Sequence, residues 1–263
     1  MFRQMKLLTL AGALAASALV TTGAEAAGWI VGLVDGKSIV TIDPATRKVA
    51  SKADIKGAGM IIGIDVRPAD GMLYGVANDG SIVTIDPKTG QATPKSKLSE
   101  MLKGGVTATV DFNPAADRLR VMGSDGTSLR VNVDDGKVTV DGSHKYKEGD
   151  VNAGKTPKVV AGAYSNSWKG TKATTLYNID ATTGALVTQA PPNDGVLNTI
   201  GSLGMPVTGP VAFNIVALGE DRNDGWLVAG GALYSVDLKT GKATMAGKIQ
   251  GLSGTLTDIA WID

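Results

Sequence analysis

One short phrase recurs along this chain and constrains it more than any other feature: an alternating apolar run that ends in an acidic turn. It reads Ser38-Ile-Val-Thr-Ile-Asp-Pro-Ala-Thr, then Ser81-Ile-Val-Thr-Ile-Asp-Pro-Lys-Thr-Gly, then Ala232-Leu-Tyr-Ser-Val-Asp-Leu-Lys-Thr-Gly. A fourth copy, Ser128-Leu-Arg-Val-Asn-Val-Asp-Asp-Gly, reads as the same device lengthened by one residue, with Asp134 in the place of Asp86. Two-residue alternation bounded by turn residues is the mark of a strand with one buried face. Steps of about 43 and 48 residues separate Asp43, Asp86 and Asp134, and a double-length step leads to Asp237, which is the period of a propeller or solenoid.

Residues 61–91 show the unit in full. Three alternating runs are parted by Pro68-Ala-Asp-Gly71, Asn78-Asp-Gly80 and Asp86-Pro-Lys-Thr-Gly90, and Asp-Gly favours the tight turns that join antiparallel neighbours. Each unit divides into four strands, a to d. They are expected at 61–66, 72–77, 81–86 and 91–98; at 107–112, 118–123, 128–133 and 137–140; and at 211–217, 226–230, 232–237 and 242–249. A less regular unit has strands at 158–164, 174–179, 185–189 and 196–203. There Asn178-Ile-Asp-Ala-Thr-Thr-Gly184 copies the repeat, so residues 174–184 read equally as strand c.

The two ends are complementary. Residues 29–55 supply b, c and d without an a, and Leu256-Thr-Asp-Ile-Ala-Trp-Ile-Asp263 is an a without a blade. Pairing them closes a ring and removes free sheet edges. The expected fold is all-β, a five-bladed β-propeller closed by the C-terminal strand joining the N-terminal blade. An open sandwich and a six-bladed ring are the alternatives.

Residues 1–26 carry a basic start (Arg3, Lys6), an apolar run at 7–20 and the small-residue pattern Ala24-Glu25-Ala26. That run is too short to span a bilayer and reads as a secretory signal, leaving residues 27–263 as one domain destined for the periplasm or the cell exterior. No later run is long and apolar enough to be a transmembrane segment. The remainder is balanced in charge, which argues against nucleic acid or an anionic membrane as partner. The absence of cysteine excludes disulfides, thiolate metal sites and a cysteine nucleophile.

Four further stretches carry a resemblance: Asp111-Phe-Asn-Pro-Ala-Ala-Asp-Arg-Leu-Arg120, Gly149-Asp-Val-Asn-Ala-Gly154, Ala163-Tyr-Ser-Asn-Ser167 and Gln189-Ala-Pro-Pro-Asn-Asp-Gly195. With them the chain resembles the secreted bacterial proteins grouped as domain of unknown function 4394. The resemblance implies an exported propeller-like domain and brings no catalytic residues or cofactor with it.

Two stretches break the repeat, at 145–157 and 189–198, and long loops on a rigid ring are where ligands are held. Asp150, Asn152, Asn166, Asn193 and Asp194 are expected to converge near the channel mouth, with Arg120 as a donor; the competing reading makes these side chains turn caps. Their ligand would be an unknown small molecule or a protein. A calcium-assisted hydrolase or lactonase is the rival class, since clustered Asp and Asn oxygens suit that ion. The stretch Gly219-Glu-Asp-Arg-Asn-Asp-Gly225 lacks the distal Glu of a calcium loop and reads as a hairpin turn. His144, the only histidine, sits in a polar turn and is expected in solvent. No nucleophile elbow, phosphate loop or dinucleotide fingerprint occurs. Asp65, Asp111 and Asp258 share a place in strand a, either as an acidic ring for acid–base work or as pins to neighbouring blades. Trp29, Trp226 and Trp261 are expected to pack between blades, whereas Trp168 lies in a loop and suits either a core or a ligand.

Overall fold

The computed structural model describes residues 28–219 and 222–263. The expected signal segment, 1–26, lies outside the described residues. Five small antiparallel sheets stand in a ring, and the protein is a five-bladed β-propeller. Blade 1 contains β1 (Trp29–Val34), β2 (Ser38–Asp43) and β3 (Lys48–Asp54); blade 2 contains β4 (Ile61–Val66), β5 (Leu73–Ala77), β6 (Ser81–Ile85) and β7 (Ala92–Lys97). Blade 3 contains β8 (Ala108–Asn113), β9 (Arg118–Gly123), β10 (Ser128–Val131) and β11 (Val138–Val140). Blade 4 contains β12 (Lys145–Tyr146), β13 (Val159–Tyr164), β14 (Leu176–Asp180), β15 (Ala185–Gln189) and β16 (Val196–Ser202). Blade 5 contains β17 (Val211–Gly219), β18 (Arg222–Ala229), β19 (Ala232–Val236) and β20 (Ala243–Lys248), and β21 (Leu256–Ile262) returns to blade 1.

The closure expected from the chain ends is present. β21 pairs antiparallel with β1, with Trp29 opposite Ile262 and Leu33 opposite Asp258, and becomes the inner strand of blade 1. The inner strands β21, β4, β8, β13 and β17 then surround the axis in that order. Each blade faces two neighbours, so its inner strands are buried on both sides, as in β1 and β5, while outer strands such as β3 and β20 are largely exposed. An apolar cluster fills every seam. Val31, Leu33, Ile61 and Ile64 pack between blades 1 and 2, and Tyr74, Val110, Phe112 and Leu119 between blades 2 and 3. Ile64 alone, fully buried, contributes about 2–3 kcal/mol by leaving water.

The repeated phrase is the turn that carries each blade onto its neighbour. Asp86 accepts from the Lys88 N–H (2.8 Å), and Asp237 from that of Lys239 (2.8 Å), closing both turns before a glycine. Gly90 has φ +73°, and a Cβ there would lie 2.1 Å from the Asp54 carbonyl of the preceding blade; Gly136 meets Lys97 in the same way. The close approach explains why the phrase ends in glycine. Parallel bonds run along this rim: Ala92 N–H to Lys56 (2.8 Å), Lys147 to Leu197 (2.9 Å), Ala243 to Leu203 (3.0 Å) and Val49 to Gln250 (3.0 Å).

Two expectations change in detail. Asn132, not Asp134, takes the place of Asp86, because the Gly136 N–H reaches the Asn132 carbonyl as that of Gly90 reaches Asp86. Asp134 instead faces Arg67 and Lys95. In blade 4 the copy ending at Gly184 joins β14 to β15, so it turns the opposite end of the blade. In blade 5, β17 and β18 extend into the expected hairpin turn, with Ala217 opposite Asn223 and Gly219 opposite Arg222.

Candidate functional site

The carboxylates of strand a bond to the backbone of the next blade. Asp258 accepts from the Ile64 N–H (2.9 Å), Asp65 from Phe112 (2.7 Å) and Asp111 from Tyr164 (2.8 Å). They pin blades 1 to 4 in sequence, which is the structural half of the expectation drawn from their shared position. Burial pushes the Asp65 carboxyl up to about 7, against the opposing pull of the Phe112 and Val66 N–H groups and the Asn214 side chain. Burial raises Asp111 and Asp258 well above the ordinary range as well, and the charge of Asp65 adds to both. No basic side chain contributes to any of these three shifts.

In blade 5 the inner strand carries Asn214 rather than an acid. Here the axis opens into a cleft of about 370 Å³, lined by Asp65, Asn214, Trp168, Lys169, Trp261 and Asp263 among others. Asp65 and Asn214 are buried, Trp168 and Trp261 are half-buried, and Lys169 and Asp263 are exposed at the rim. Trp261 is set by its indole N–H, which donates to Asp263 (3.1 Å). It also lies against Gly28, where a Cβ would come within 2.5 Å of the ring. Trp168 is carried by the turn after β13. Asn166 there adopts φ 57° and exchanges two hydrogen bonds with Asn223, and the Trp168 N–H returns to the Asn166 carbonyl (2.8 Å).

The residues singled out from the loops do not converge on this mouth; they gather in three places. Asp150 and Asn152 both meet Thr199: Asp150 accepts from its N–H and hydroxyl (2.7 Å each), and the Asn152 amide donates to its hydroxyl (3.0 Å). Arg120 and Asn193 form a second group. The Arg120 guanidinium is fully buried and donates to Tyr164 (2.7 Å), Ser128 (2.7 Å) and Asn193 (2.8 Å), with Asp141 as its ion partner at 3.0 Å. Asn166 is the third, beneath the cleft's Trp168. Asp194 is exposed, next to Asn193 in a short 3-10 turn. The two irregular loops do meet, through Gly142 N–H to Asn193 (2.8 Å) and Lys145 N–H to Gly195 (2.9 Å), and β12 joins β16 as a fifth, parallel strand. Their meeting seals the seam between blades 3 and 4.

His144 lies under that seal. It is buried rather than in solvent, neither ring nitrogen has a hydrogen-bond partner, and burial lowers its pKa to about 4, helped by the charge of Arg120. Trp226 and Trp261 pack at the seam of blades 5 and 1 as expected, but Trp29 is 40% exposed. Among the described residues, no three His, Cys, Asp or Glu side chains are grouped to hold a metal ion, and no helix is long and apolar enough to cross a membrane.

The family described as Domain of unknown function (DUF4394) matches residues 38–260. The chain belongs to that family. No match was found among curated proteins. Among solved structures, this DUF4394 chain is similar to a protein of unknown function from Bacteroides thetaiotaomicron VPI-5482, at 14% identity and a TM-score of 0.54. That likeness covers 89% of this chain and 64% of the other, so the chain spans less than two thirds of that protein, and it shows the fold alone. A protein of unknown function from Bacteroides caccae matches at 14% identity and a TM-score of 0.44, covering 84% and 73% of the two chains. An auxiliary nutrient binding protein from Bacteroides ovatus ATCC 8483 matches at 15% and 0.45, covering 81% and 57%.

Proposed function

We propose that the protein is an exported, non-catalytic binding module that holds a small ligand in the axial cleft. The observation that carries this reading is the composition of the mouth: two half-buried tryptophans beside a buried polar pair, Asp65 and Asn214. Ligand sites combine apolar walls with a few fixed polar groups, and here β4, β17 and β21 hold Asp65, Asn214 and Trp261 while the hydrogen-bonded turn after β13 holds Trp168. Export is supported by the basic, apolar and small-residue succession at residues 1–26. The polar loop residues Asp150, Asn152, Asn166 and Asn193, each bonded to a neighbouring side chain, serve the scaffold.

A thermal-shift screen of sugars, amino acids, amines and carboxylates against the protein tests the reading. Compounds that raise the melting temperature should lose their effect in Trp168→Ala and Trp261→Ala, each melting within a few degrees of the parent. Compounds that still stabilise both variants would place the binding site elsewhere.

A further inference from the structure

Among the described residues the axis holds three buried carboxyl groups and no buried base, which is an unusual balance for a protein interior. Each acid has one or more backbone N–H donors but no cation, and Asp65 is the one that also lines the cleft. A buried carboxylate without a counter-charge is costly to ionise. Beside it, Asn214 is 8% exposed, and among the described residues nothing donates to its carbonyl oxygen. An ionised carboxylate and an amide carbonyl both accept hydrogen bonds, and the donor end of the Asn214 side chain is turned to Asp65, whose ionised form it favours. The walls are tryptophan, whose ring faces attract cations.

Resting on the reading of the cleft as a ligand site, we propose that its ligand is a small organic ammonium ion, with Asp65 as counter-ion, Asn214 as second acceptor, and Trp168 and Trp261 as walls. An organic cation fits better than a bare metal ion. The site offers two carboxylate side chains, buried Asp65 and Asp263 at the rim, where a hard metal takes six to eight oxygens, and aromatic walls contribute nothing to its coordination. The groups facing Asp65 are Asp111 on β8, Asp258 on β21, Asp263 at the chain end and Lys169 on the loop after β13. Of these only Lys169 opposes a cation, and it stands at the exposed rim. Binding and ionisation of Asp65 are then linked. An ammonium ion favours the carboxylate, so affinity rises as pH rises through the carboxyl's value near 7.

The test is a calorimetric titration with tetramethylammonium and with propylammonium, using sodium chloride at equal ionic strength as the control. Saturable binding of at least one probe is expected at about pH 8, weakening by roughly 30-fold at about pH 5.5 as Asp65 takes up its proton. Asp65→Asn keeps an oxygen for the Phe112 N–H and should lose at least tenfold in affinity for the cation at the higher pH, while its melting temperature is retained. The class of ligand is overturned if neither ammonium probe binds, or if Asp65→Asn and the lower pH leave binding unchanged. In that case the reading of the cleft still stands where neutral or anionic screen compounds lose their effect in Trp168→Ala, and falls with it where they do not.

Discussion

The seam between blades 2 and 3 and the seam between blades 3 and 4 start from the same backbone and end as different materials. Tyr74 lies opposite Asp65 across β4 and β5, and Arg120 lies opposite Asp111 across β8 and β9. At the first seam the tyrosine ring meets Phe112 edge-on at 5.3 Å within a continuous apolar cluster. Its ions lie toward the rim, where Arg67, itself nearly buried, holds the more exposed Asp117 at 2.6 Å and Asp134 at 3.3 Å. At the second seam the charge is inside: Arg120, its side chain 2% exposed, binds Asp141, Ser128, Tyr164 and Asn193, with His144 beside it. A propeller seam therefore tolerates either solution. The polar one ties a strand, a tyrosine and a loop from successive blades to one side chain. Its stability is correspondingly concentrated in that side chain.

Substituting the two arginines breaks this contrast most directly. Arg120→Met should cost about 3–5 kcal/mol, because it strands buried partners that have no water to turn to. Arg67→Met, whose partners Asp117 and Asp134 are 38% and 53% exposed, should cost about 1 kcal/mol. Urea unfolding measures both, and equal losses would dissolve the distinction between the seams.

Acid should act unequally on the two seams. His144 has a folded pKa of about 4, below its unfolded value, so the stability it contributes is present above about 6.5 and is lost as pH falls through 4. The axial acids run the other way. The raised Asp65 value means that its contribution is present below the ordinary carboxylate range and lost as pH rises through about 7. Comparison of His144→Leu with the parent isolates the first effect: the variant should gain about 3 kcal/mol on the parent between neutral pH and pH 4. Parallel stability curves for the two proteins would mean that the ring is solvated.

The tyrosine hydroxyls give the finest comparison of the two seams. Tyr164→Phe removes the buried acceptor of Arg120 and should cost about 1–3 kcal/mol. Tyr74→Phe removes a hydroxyl whose partners, Asp70 and Arg67, lie toward the rim, and should cost about 0.5–1 kcal/mol. The ratio of the two losses, read from unfolding midpoints, gauges how much drier the second seam is.

Much of the architecture was legible because local periodicity and turn chemistry act within one blade. β9 and β15 run as the alternation predicts, and Leu256–Ile262 was marked as a partner for Trp29–Val34 by the missing strand at one end and the spare strand at the other. What escaped depends on contacts between blades. His144 sits among Ser143, Lys145 and Lys147, so its neighbours in sequence are polar; it is the parallel pairing of β12 with β16 that covers it. The cleft escaped for a similar reason. Asp65, Asn214, Trp168 and Trp261 come from four blades, and no spacing along the chain relates them. Arg120 stands out in the sequence, but a donor in a strand looks the same there whether it faces a ligand or a buried aspartate.

The place where the ring is joined has a practical corollary. Gly28 rests on Trp261, and Trp261, Ile262 and Asp263 border the axial cleft, so both ends of the described fold emerge at its lip. A dye carried by a cysteine introduced at residue 28 or 263 would hang over the entrance. It would report occupancy from a few ångströms away, or obstruct it, and the choice of residue decides which.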